Sequence, residues 1–490
     1  MNTKSSIPGW MATGLILALL VLLGGCMAGP NFNRPAAPEV TSYTPDPLPA
    51  PPVSAPAPLG ESQRFVEGGL VDPQWWRELG SPGLDALITE ALLTSPTLAE
   101  SRATLRRAQE IYAAQSGSTL YPRVDANIAG QRQRFSPSTS GRDGDADEFT
   151  LYNAGVGVQY NLDLAGGNRR ALEALAANID YQRYRLEGAR LTLAANIVTA
   201  AITRAGLAAQ IEATETILQS QEDQLQLTRE RVRLGQAAPD DLLALQTQME
   251  LTRAAIPLLL NQLQQSEHLL AVLAGRAPGT GGLPTFSLEE FILPAVLPVV
   301  VPSELVRTRP DIQAAEAVLH AANAEYGIAI ANLYPQLNLS ANLGSQSLTT
   351  GALFGSGSAV WALIGQLTQP LFNPGLPAKK RAALAAFDAA AANYQNVVLE
   401  SLRSVADVLR ALDNDAQRLA ALSAADAAAR GSLESMQRQY SLGTVSYIQL
   451  LVAEQQSQQT RINLIEARSR RLINSAALYQ AMGGGRLSDG

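Results

Sequence analysis

The sequence contains two copies of one repeat unit. Three landmarks recur in the same order in each copy: a proline that heads a helical segment, a Tyr-Pro pair and a Leu-Gly pair. They are Pro96, Tyr121-Pro122 and Leu234-Gly235 in the first copy, and Pro310, Tyr334-Pro335 and Leu442-Gly443 in the second. The two Leu-Gly pairs lie 443 − 235 = 208 residues apart. Self-similarity at a fixed distance indicates a duplicated unit of roughly 210 residues.

Each copy contains two stretches in which apolar and polar residues alternate. They lie near residues 123–134 and 152–162 in the first copy, and near 337–343 and 361–368 in the second. A period of two predicts strands with one apolar face and one polar or small face. Each copy therefore holds a predicted hairpin, whose strands are long enough to cross a bilayer when tilted, about 9–11 residues.

These hairpins allow two interpretations. A soluble hairpin packed on helices also alternates, whereas membrane strands are apolar outward, polar inward and joined by longer outer loops. The length of the strands favours membrane strands. Four strands are too few to close a barrel around water, so we expect several chains to share one barrel.

Long helices follow each hairpin. Residues 168–238 contain no proline, and a single helix over 168–235 would extend roughly 100 Å at 1.5 Å per residue. Apolar residues recur every seven positions, which predicts side-by-side coiled-coil packing. They are Ile211, Leu218, Leu225 and Val232 in the first copy, and Leu402 with Leu409, then Val405, Leu412 and Leu419, in the second.

The residues at the end of each long helix are typical of a helix C-terminus followed by a new helix. Gly235 and Gly443 are suited to the left-handed conformation that closes many helices. Ser446 and Gln449 have the spacing of a capping box at the start of the next helix. At the equivalent point of the first copy, Asp240 and Asp241 fall in a first turn, where the helix dipole favours carboxylates.

The N-terminus carries an apolar core at residues 11–23, of signal-peptide length, that leads to Cys26, the chain's single cysteine. Leu23-Gly24-Gly25-Cys26 resembles a bacterial lipobox, which predicts removal of residues 1–25 and lipidation of Cys26. The alternative is an incidental thiol in a cleaved leader. Residues 35–58 hold nine prolines, which predicts an extended tether, with order beginning near Trp75-Trp76.

Composition argues against several classes of function. The formal net charge is −7, which disfavours nucleic acid as the main partner. The two histidines, His268 and His320, lack metal-ligand context, and residues 275–282 lack the Lys-Ser/Thr of a phosphate loop. We therefore expect no enzyme activity, no metal and no cofactor. No run of about 20 apolar residues follows the leader, so we expect no membrane-spanning helix in the mature chain.

Several segments together resemble the outer-membrane efflux lipoproteins of the TolC superfamily, of the OprM/NodT type. They are the lipobox, GPNFNRP at 29–35, WWRELGSPGLDALITEAL at 75–92, AAIPLLLNQ at 254–262 and VPSELVRTRPDIQAAE at 301–316. The resemblance covers nearly the whole mature chain, and its most specific parts are the Arg309-Pro310-Asp311-Ile312 element and the duplicated Leu-Gly turns.

The resemblance implies a mainly α fold with a membrane β-barrel. A homotrimer would combine a 12-strand β-barrel with a continuous 12-helix periplasmic α-barrel and an equatorial collar. The predicted segments are a signal peptide at 1–25, a lipidated N-terminus and proline-rich tether at 26–60, outer membrane efflux repeat 1 at 61–275, an inter-repeat equatorial linker at 276–302 and outer membrane efflux repeat 2 at 303–490.

The resemblance also implies passive export and candidate sites for it. The protein would lie in the bacterial outer membrane, held by lipid and strands, and extend into the periplasm. It would receive small molecules from an RND-type inner-membrane pump through a periplasmic adaptor (membrane fusion protein). Adaptor docking is expected at the turns Leu234, Gly235, Leu442 and Gly443, and a periplasmic gate at Asp240, Asp241, Tyr440 and Gln449.

This sequence departs from the gate pattern of the family at two positions. Gln449 stands where a second carboxylate is common, and Val445 stands at the place of an arginine that pairs with the tyrosine. Asp240 and Asp241 could equally serve only as helix N-terminal residues. A non-transporting periplasmic coiled-coil scaffold or adaptor is the alternative function.

Overall fold

A computed structural model describes residues 27–46, 53–69, 71–136 and 146–485 of the chain. The predicted signal peptide and Cys26 lie outside the described residues. Lipidation of Cys26 therefore stays a prediction.

The order of elements repeats, as the sequence predicts. A short strand β1 (Arg64–Glu67), a 3-10 turn (Trp75–Leu79) and helix α1 (Pro82–Thr94) come first. The first copy continues with α2 (Pro96–Leu120), β2 (Arg123–Phe135), β3 (Asp147–Leu162), α3 (Gly167–Arg233) and α4 (Pro239–Leu273). After β4 (Val296–Val299) and α5 (Pro302–Thr308), the second copy has α6 (Pro310–Ala331), β5 (Gln336–Ser347), β6 (Ala359–Thr368), α7 (Gly375–Ser441) and α8 (Tyr447–Ala481). Both α3 and α7 have 67 residues, and both α4 and α8 have 35.

The chain divides into two compact units that cut across the copies. One unit contains residues up to Arg34, Thr104–Gln182 and Ala315–Tyr394. The other contains Pro35–Ala103, Arg183–Ala314 and the residues from Gln395 onward. Neither unit equals one copy, because α3 and α7 each contribute residues to both.

The first unit holds an antiparallel sheet with strand order β2-β3-β5-β6. Its register aligns the apolar residues of both hairpins: Val156 lies opposite Ala126 on β2 and Leu343 on β5, and Leu343 lies opposite Trp361 on β6. Residues directly opposite each other share a face of the sheet. The predicted alternation is therefore confirmed, and it produces one apolar face that runs across all four strands.

That apolar face is open to solvent in the single chain. Ile128 and Trp361 are 85% and 78% exposed. The opposite face carries amide ladders: Asn127 Nδ2 donates to Asn153 Oδ1 at 3.2 Å, and Asn161 Nδ2 donates to Asn338 Oδ1 at 2.7 Å. Large exposed apolar patches mark interaction sites rather than ordinary soluble surface.

The second unit contains the predicted helical packing. Ile211 and Leu225 on α3, and Val405, Leu412 and Leu419 on α7, are all buried. Leu409 is buried as well, whereas Leu218, Val232 and Leu402 are half-buried, so most of the predicted sevenfold positions lie on the packed side of their helices. One apolar window of α3 would be long enough to cross a membrane, but 61% of it is buried inside the protein. Core helices of soluble proteins pass the same test, so length and composition alone do not make α3 a membrane span.

Order begins earlier in the chain than the sequence predicted. The expectation of order from Trp75-Trp76 was wrong, because β1 pairs in parallel with β4, with Arg64 opposite Val296. The fully buried Arg471 also donates to the backbone oxygens of Leu59 and Glu61, at 2.8 and 2.6 Å. Proline-rich composition disfavours hydrogen bonds between neighbours along the chain. Here the hydrogen bonds come instead from residues that are remote in sequence.

Candidate functional site at the two helical turns

The turns that join α3 to α4 and α7 to α8 have the same backbone geometry. Gly235 N–H donates to Val232 O at 3.0 Å, and the next N–H reaches back five residues to Arg231 O at 2.7 Å. Gly443 and Thr444 make the same pair of bonds, both at 3.0 Å. This is the Schellman arrangement of a helix C-terminus. Gly235 and Gly443 have φ of 73° and 75°, which confirms the predicted left-handed caps.

Each turn presents an apolar side chain outward. Leu234 is 58% exposed and Leu442 is 78% exposed. A Cβ added to Gly235 or Gly443 would meet nothing within 4 Å. The glycines are therefore required by the left-handed backbone and not by crowding, and the surface around each leucine is open.

The helices that follow the turns begin with different chemistry. Ser446 and Gln449 form the predicted capping box, in which Gln449 Oε1 accepts from Ser446 N–H at 2.9 Å. At the start of α4, Ala238 provides no side-chain cap, and the first turn carries an exposed Asp240 and a half-buried Asp241. One turn therefore presents carboxylates, while at the other the amide oxygen of Gln449 is bound to its own cap.

The ends of the four helices pack around a tip cluster, which comprises Leu225, Leu245, Met249, Tyr447 and Leu450. Tyr440 packs against this cluster and meets Tyr447 edge to face at 5.7 Å between ring centroids.

The cation that Tyr440 meets comes from α3. Arg231 Cζ lies 5.3 Å from the centroid of the Tyr440 ring, which is cation–π distance. Val445, which stands at the family's arginine position, supplies no such charge. Sequence reasoning missed Arg231 because no local motif links it to a residue 209 positions away.

A cavity of about 570 Å³ lies in the same unit, lined by α3, α7 and α8. Its walls carry acids and arginines, among them Asp426, Arg430, Glu454 and Arg468. Arg430 Nε lies 3.0 Å from Asp426 Oδ2, and Arg468 Nη2 lies 3.8 Å from Glu289 Oε1. Within the ranges that the structure describes, no group of His, Cys, Asp and Glu side chains could hold a metal ion.

Glu454 is the acid in this cavity whose pKa is raised most clearly by burial. Burial raises the pKa of its carboxyl to about 7, against a hydrogen bond from Gln224 that lowers it. Its Oε2 has no hydrogen-bond donor among the described residues. Burial first, and then the charge of Glu454, raise the pKa of the Tyr447 hydroxyl. A sequence signal existed, because Tyr447, Leu450 and Glu454 have helical spacing and so lie on one inward stripe.

We predict that the stability of α8 around Glu454 falls between pH 6 and pH 8. The ordinary pKa of the carboxyl is 4.5, so its folded-state pKa of about 7 is raised. The stabilising contribution is full below pH 4.5 and is lost as the pH rises through 7. Across pH 6 to 8 the loss is about 1.4 kcal/mol, the value of one pKa unit. Hydrogen–deuterium exchange of α8 peptides, corrected for intrinsic exchange, measures it.

Glu454→Gln should remove this pH dependence. Glu215→Gln, on an exposed face of α3, is the matched control and should retain it. An equal slope in Glu454→Gln and the wild type would assign the pH dependence to other groups.

Comparisons with known proteins agree with this geometry. The family described as "Outer membrane efflux protein" matches the chain twice, over residues 87–276 and 301–484. The toluene efflux pump outer membrane protein TtgC of Pseudomonas putida is 30% identical over 480 residues, which cover 96% of each protein. The outer membrane protein OprJ of Pseudomonas aeruginosa is 28% identical over 98% of this chain and 96% of its own.

A solved structure has the same fold. The outer-membrane channel OprN superposes with a TM-score of 0.84 at 25% identity, over 94% of this chain and 99% of that one. The predicted resemblance, the helix-rich channel fold and the outer-membrane location are therefore confirmed, and the scaffold alternative is set aside. The chain belongs to the outer membrane efflux protein family and serves as the outer-membrane component of an efflux system.

Proposed function

We propose that three copies of this chain form one exit duct. The observation that carries the proposal is the edge of the sheet. Within the described residues, β2 and β6 are the outer strands of the order β2-β3-β5-β6, and each pairs on one side only. In hydrocarbon every backbone N–H and C=O needs a partner, so a membrane sheet with two open edges must close.

Three copies close the sheet with 3 × 4 = 12 strands if β6 of one copy pairs with β2 of the next. The exposed apolar face would then meet lipid, and the amide-rich face would line the lumen. The same symmetry yields a 12-helix periplasmic α-barrel from α3, α4, α7 and α8. Residues of about 60–90, 276–302 and 476–490 would form the collar, and residues 486–490 of this set lie outside the described residues.

The partners follow from passive export. A duct contains no energy source of its own, so it requires a pump in the inner membrane and an adaptor across the periplasm. The relative named a toluene efflux pump outer membrane protein supports small organic molecules as the cargo. An RND-type pump as the partner is what the resemblance to the family implies. Lipidation of Cys26 would add an anchor in the outer membrane.

We predict that the purified protein forms trimers whose mobility changes on heating and which conduct ions in planar bilayers. Cys26→Ser should abolish acylation, measured by mass spectrometry, and yet allow some trimer to insert, because the strands span the membrane by themselves. A conducting monomer, or a protein extracted from membranes without detergent, would contradict the duct. Loss of all inserted trimer in Cys26→Ser would make the lipid a requirement for delivery.

The carboxylate-bearing turn supports a gate that favours cations. Three copies would bring six carboxylates from Asp240 and Asp241 to one constriction, where clustered negative charge concentrates cations. Tyr440, held by Arg231, would brace the neighbouring helix. Gln449 would contribute a neutral amide, because its side-chain oxygen is bound to the cap of α8.

We predict that Asp240→Asn with Asp241→Asn lowers the cation selectivity of the closed pore. In a salt gradient across a planar bilayer, the reversal potential should move toward zero. Glu215→Gln with Glu325→Gln removes the same charge from exposed helix positions and serves as the control. An unchanged reversal potential in the Asp variant would leave these residues with helix capping alone.

The outward leucines support docking of an adaptor at the turns. Leu234 and Leu442 stand beside Gly235 and Gly443 in open surroundings, so a partner can bury them without displacing other side chains. Apolar residues exposed singly are ordinary on protein surfaces. Their repetition at the same place in both copies is what favours a docking surface.

We predict that Leu234→Ser with Leu442→Ser lowers pump-dependent export in cells, measured as efflux of a fluorescent pump substrate. Conductance of the purified variant in bilayers should be unchanged, because the backbone caps remain. Leu243→Ser with Leu251→Ser, which alters two exposed leucines of α4, is the control. Equal export by wild type and docking variant would exclude these leucines from docking.

A further inference from the structure

The segment that follows Cys26 is bound to the first unit of the protein. Residues 28–34, called the strap from here on, lie against the first turns of α3 and along α6. Ala28 N–H donates to Ala165 O at 2.9 Å, just before α3 begins. The strap therefore starts within a few residues of Leu162, where β3 ends.

Arg170 holds the strap from the α3 side. Its side chain is fully buried. Nε donates to Ala28 O at 3.0 Å, and Nη2 donates to Gly29 O and to Asn31 Oδ1, both at 3.1 Å. Nη1 pairs with Glu173 Oε2 at 2.6 Å, which balances the charge. Three of the four hydrogen bonds of a buried guanidinium thus go to one short segment 139 to 142 residues away in sequence.

The strap is also bound by α6, from the second copy. Phe32 stacks on the ring of His320, with 4.3 Å between centroids and 15° between planes. Asn323 Nδ2 donates to Pro30 O at 3.1 Å. Arg34 Nε contacts both carboxylate oxygens of Glu316, at 2.6 and 2.9 Å.

The two helices are linked beneath the strap. Glu173, the partner of Arg170, also contacts His320 Nε2 at 2.9 Å. Because Glu173 belongs to the first copy and His320 to the second, the strap lies over a contact that joins both copies.

Glycines make room for this arrangement. A Cβ on Gly327 of α6 would lie 2.8 Å from the Arg170 side chain. Gly29 has φ of +81° and approaches Gly327 so closely that its own Cβ would be 2.8 Å from the Gly327 Cα. Gly166, at φ of +75°, is equally close to Met27, at 2.9 Å. Side chains at these positions would displace the strap or Arg170, so the surface is shaped for both.

We infer that Arg170 is the positioning residue for the lipid anchor. Arg170 binds the strap and so holds it beside the end of β3. The acylated residue that precedes the strap would therefore insert its lipid into the membrane near β3. The inference rests on the proposed lipidation of Cys26. With the strap released, the acyl chains would be connected to the fold only through the long proline-rich tether, which would leave their position undefined. With the strap bound, the lipid and strand β3 meet the membrane together.

Docking of the strap is measured by cleavage with chymotrypsin after Phe32, which the stack on His320 protects. Arg170→Gln should speed this cleavage by about tenfold or more, since hydrogen bonds from a charged donor are stronger than those from a neutral one and the variant loses three of them to the strap. Arg170→Lys keeps the charge beside Glu173 but loses the planar fork, and should also speed cleavage. Arg169→Gln is the matched control, because the neighbouring Arg169 pairs with Asp163. Cleavage as slow as in the wild type would overturn the inference.

Positioning is separated from a merely structural role by comparing two backgrounds. In the acylated full-length chain, Arg170→Gln should lower the yield of membrane-inserted trimer several-fold, and Arg170→Lys should lower it less. In the Cys26→Ser background neither variant should lower the yield further, because no anchor remains to be positioned. An equal loss in both backgrounds would reduce Arg170 to a structural residue and overturn the inference.

The failure of lipidation is read separately, by mass spectrometry of the wild-type N-terminus. Absence of an acyl mass would overturn the lipidation and this inference together, even if the strap is docked. Acylation with an equal trimer loss in both backgrounds would overturn only the inference.

Discussion

Backbone hydrogen bonding in hydrocarbon is the constraint on which this molecule depends. A sheet of four strands with open edges at β2 and β6 cannot lie in lipid alone, yet its face carrying Ile128 and Trp361 is too apolar for water. The proposed closure by three protomers would meet both requirements at once. The sequence duplication matters here, because within one chain β3 of the first repeat pairs with β5 of the second repeat. This pairing joins the two hairpins into one four-stranded sheet.

Duplication preserved the backbone more strictly than the chemistry. The long helices agree in length to the residue, and both turns close with the same hydrogen bonds around Gly235 and Gly443. The side chains then diverge: Asp241 stands on one turn where Gln449 stands on the other. A turn of this type needs a left-handed glycine whatever surrounds it, whereas the proposed gate would need its carboxylates on only one turn of each protomer. Divergence could therefore proceed on one copy without altering the frame.

The two units differ in how fully a buried charged side chain is compensated by hydrogen-bond partners. Arg170 is fully buried but uses its guanidinium on three strap acceptors and on Glu173, so its charge is stabilised in place. Glu454 faces a cavity, one of its carboxylate oxygens has no donor among the described residues, and burial raises its pKa to about 7. The carboxyl of Glu454 therefore changes its charge near neutral pH. Compensation, and not burial alone, decides which behaviour a charged group adopts.

The sequence by itself determined the helices, hairpins and turns, because each depends on neighbours a few positions away. Periods of two and seven predicted the strands and the packing stripes. The turn after α7 was predicted from Gly443, and the capping box of α8 from the spacing of Ser446 and Gln449. Family resemblance added the channel fold. Only the tertiary structure decided that Arg231 lies over Tyr440, that β1 pairs with β4, and that Arg170 holds the strap. These contacts join residues that are remote along the chain, so their energies depend on which surfaces the fold brings together, and no local pattern encodes them.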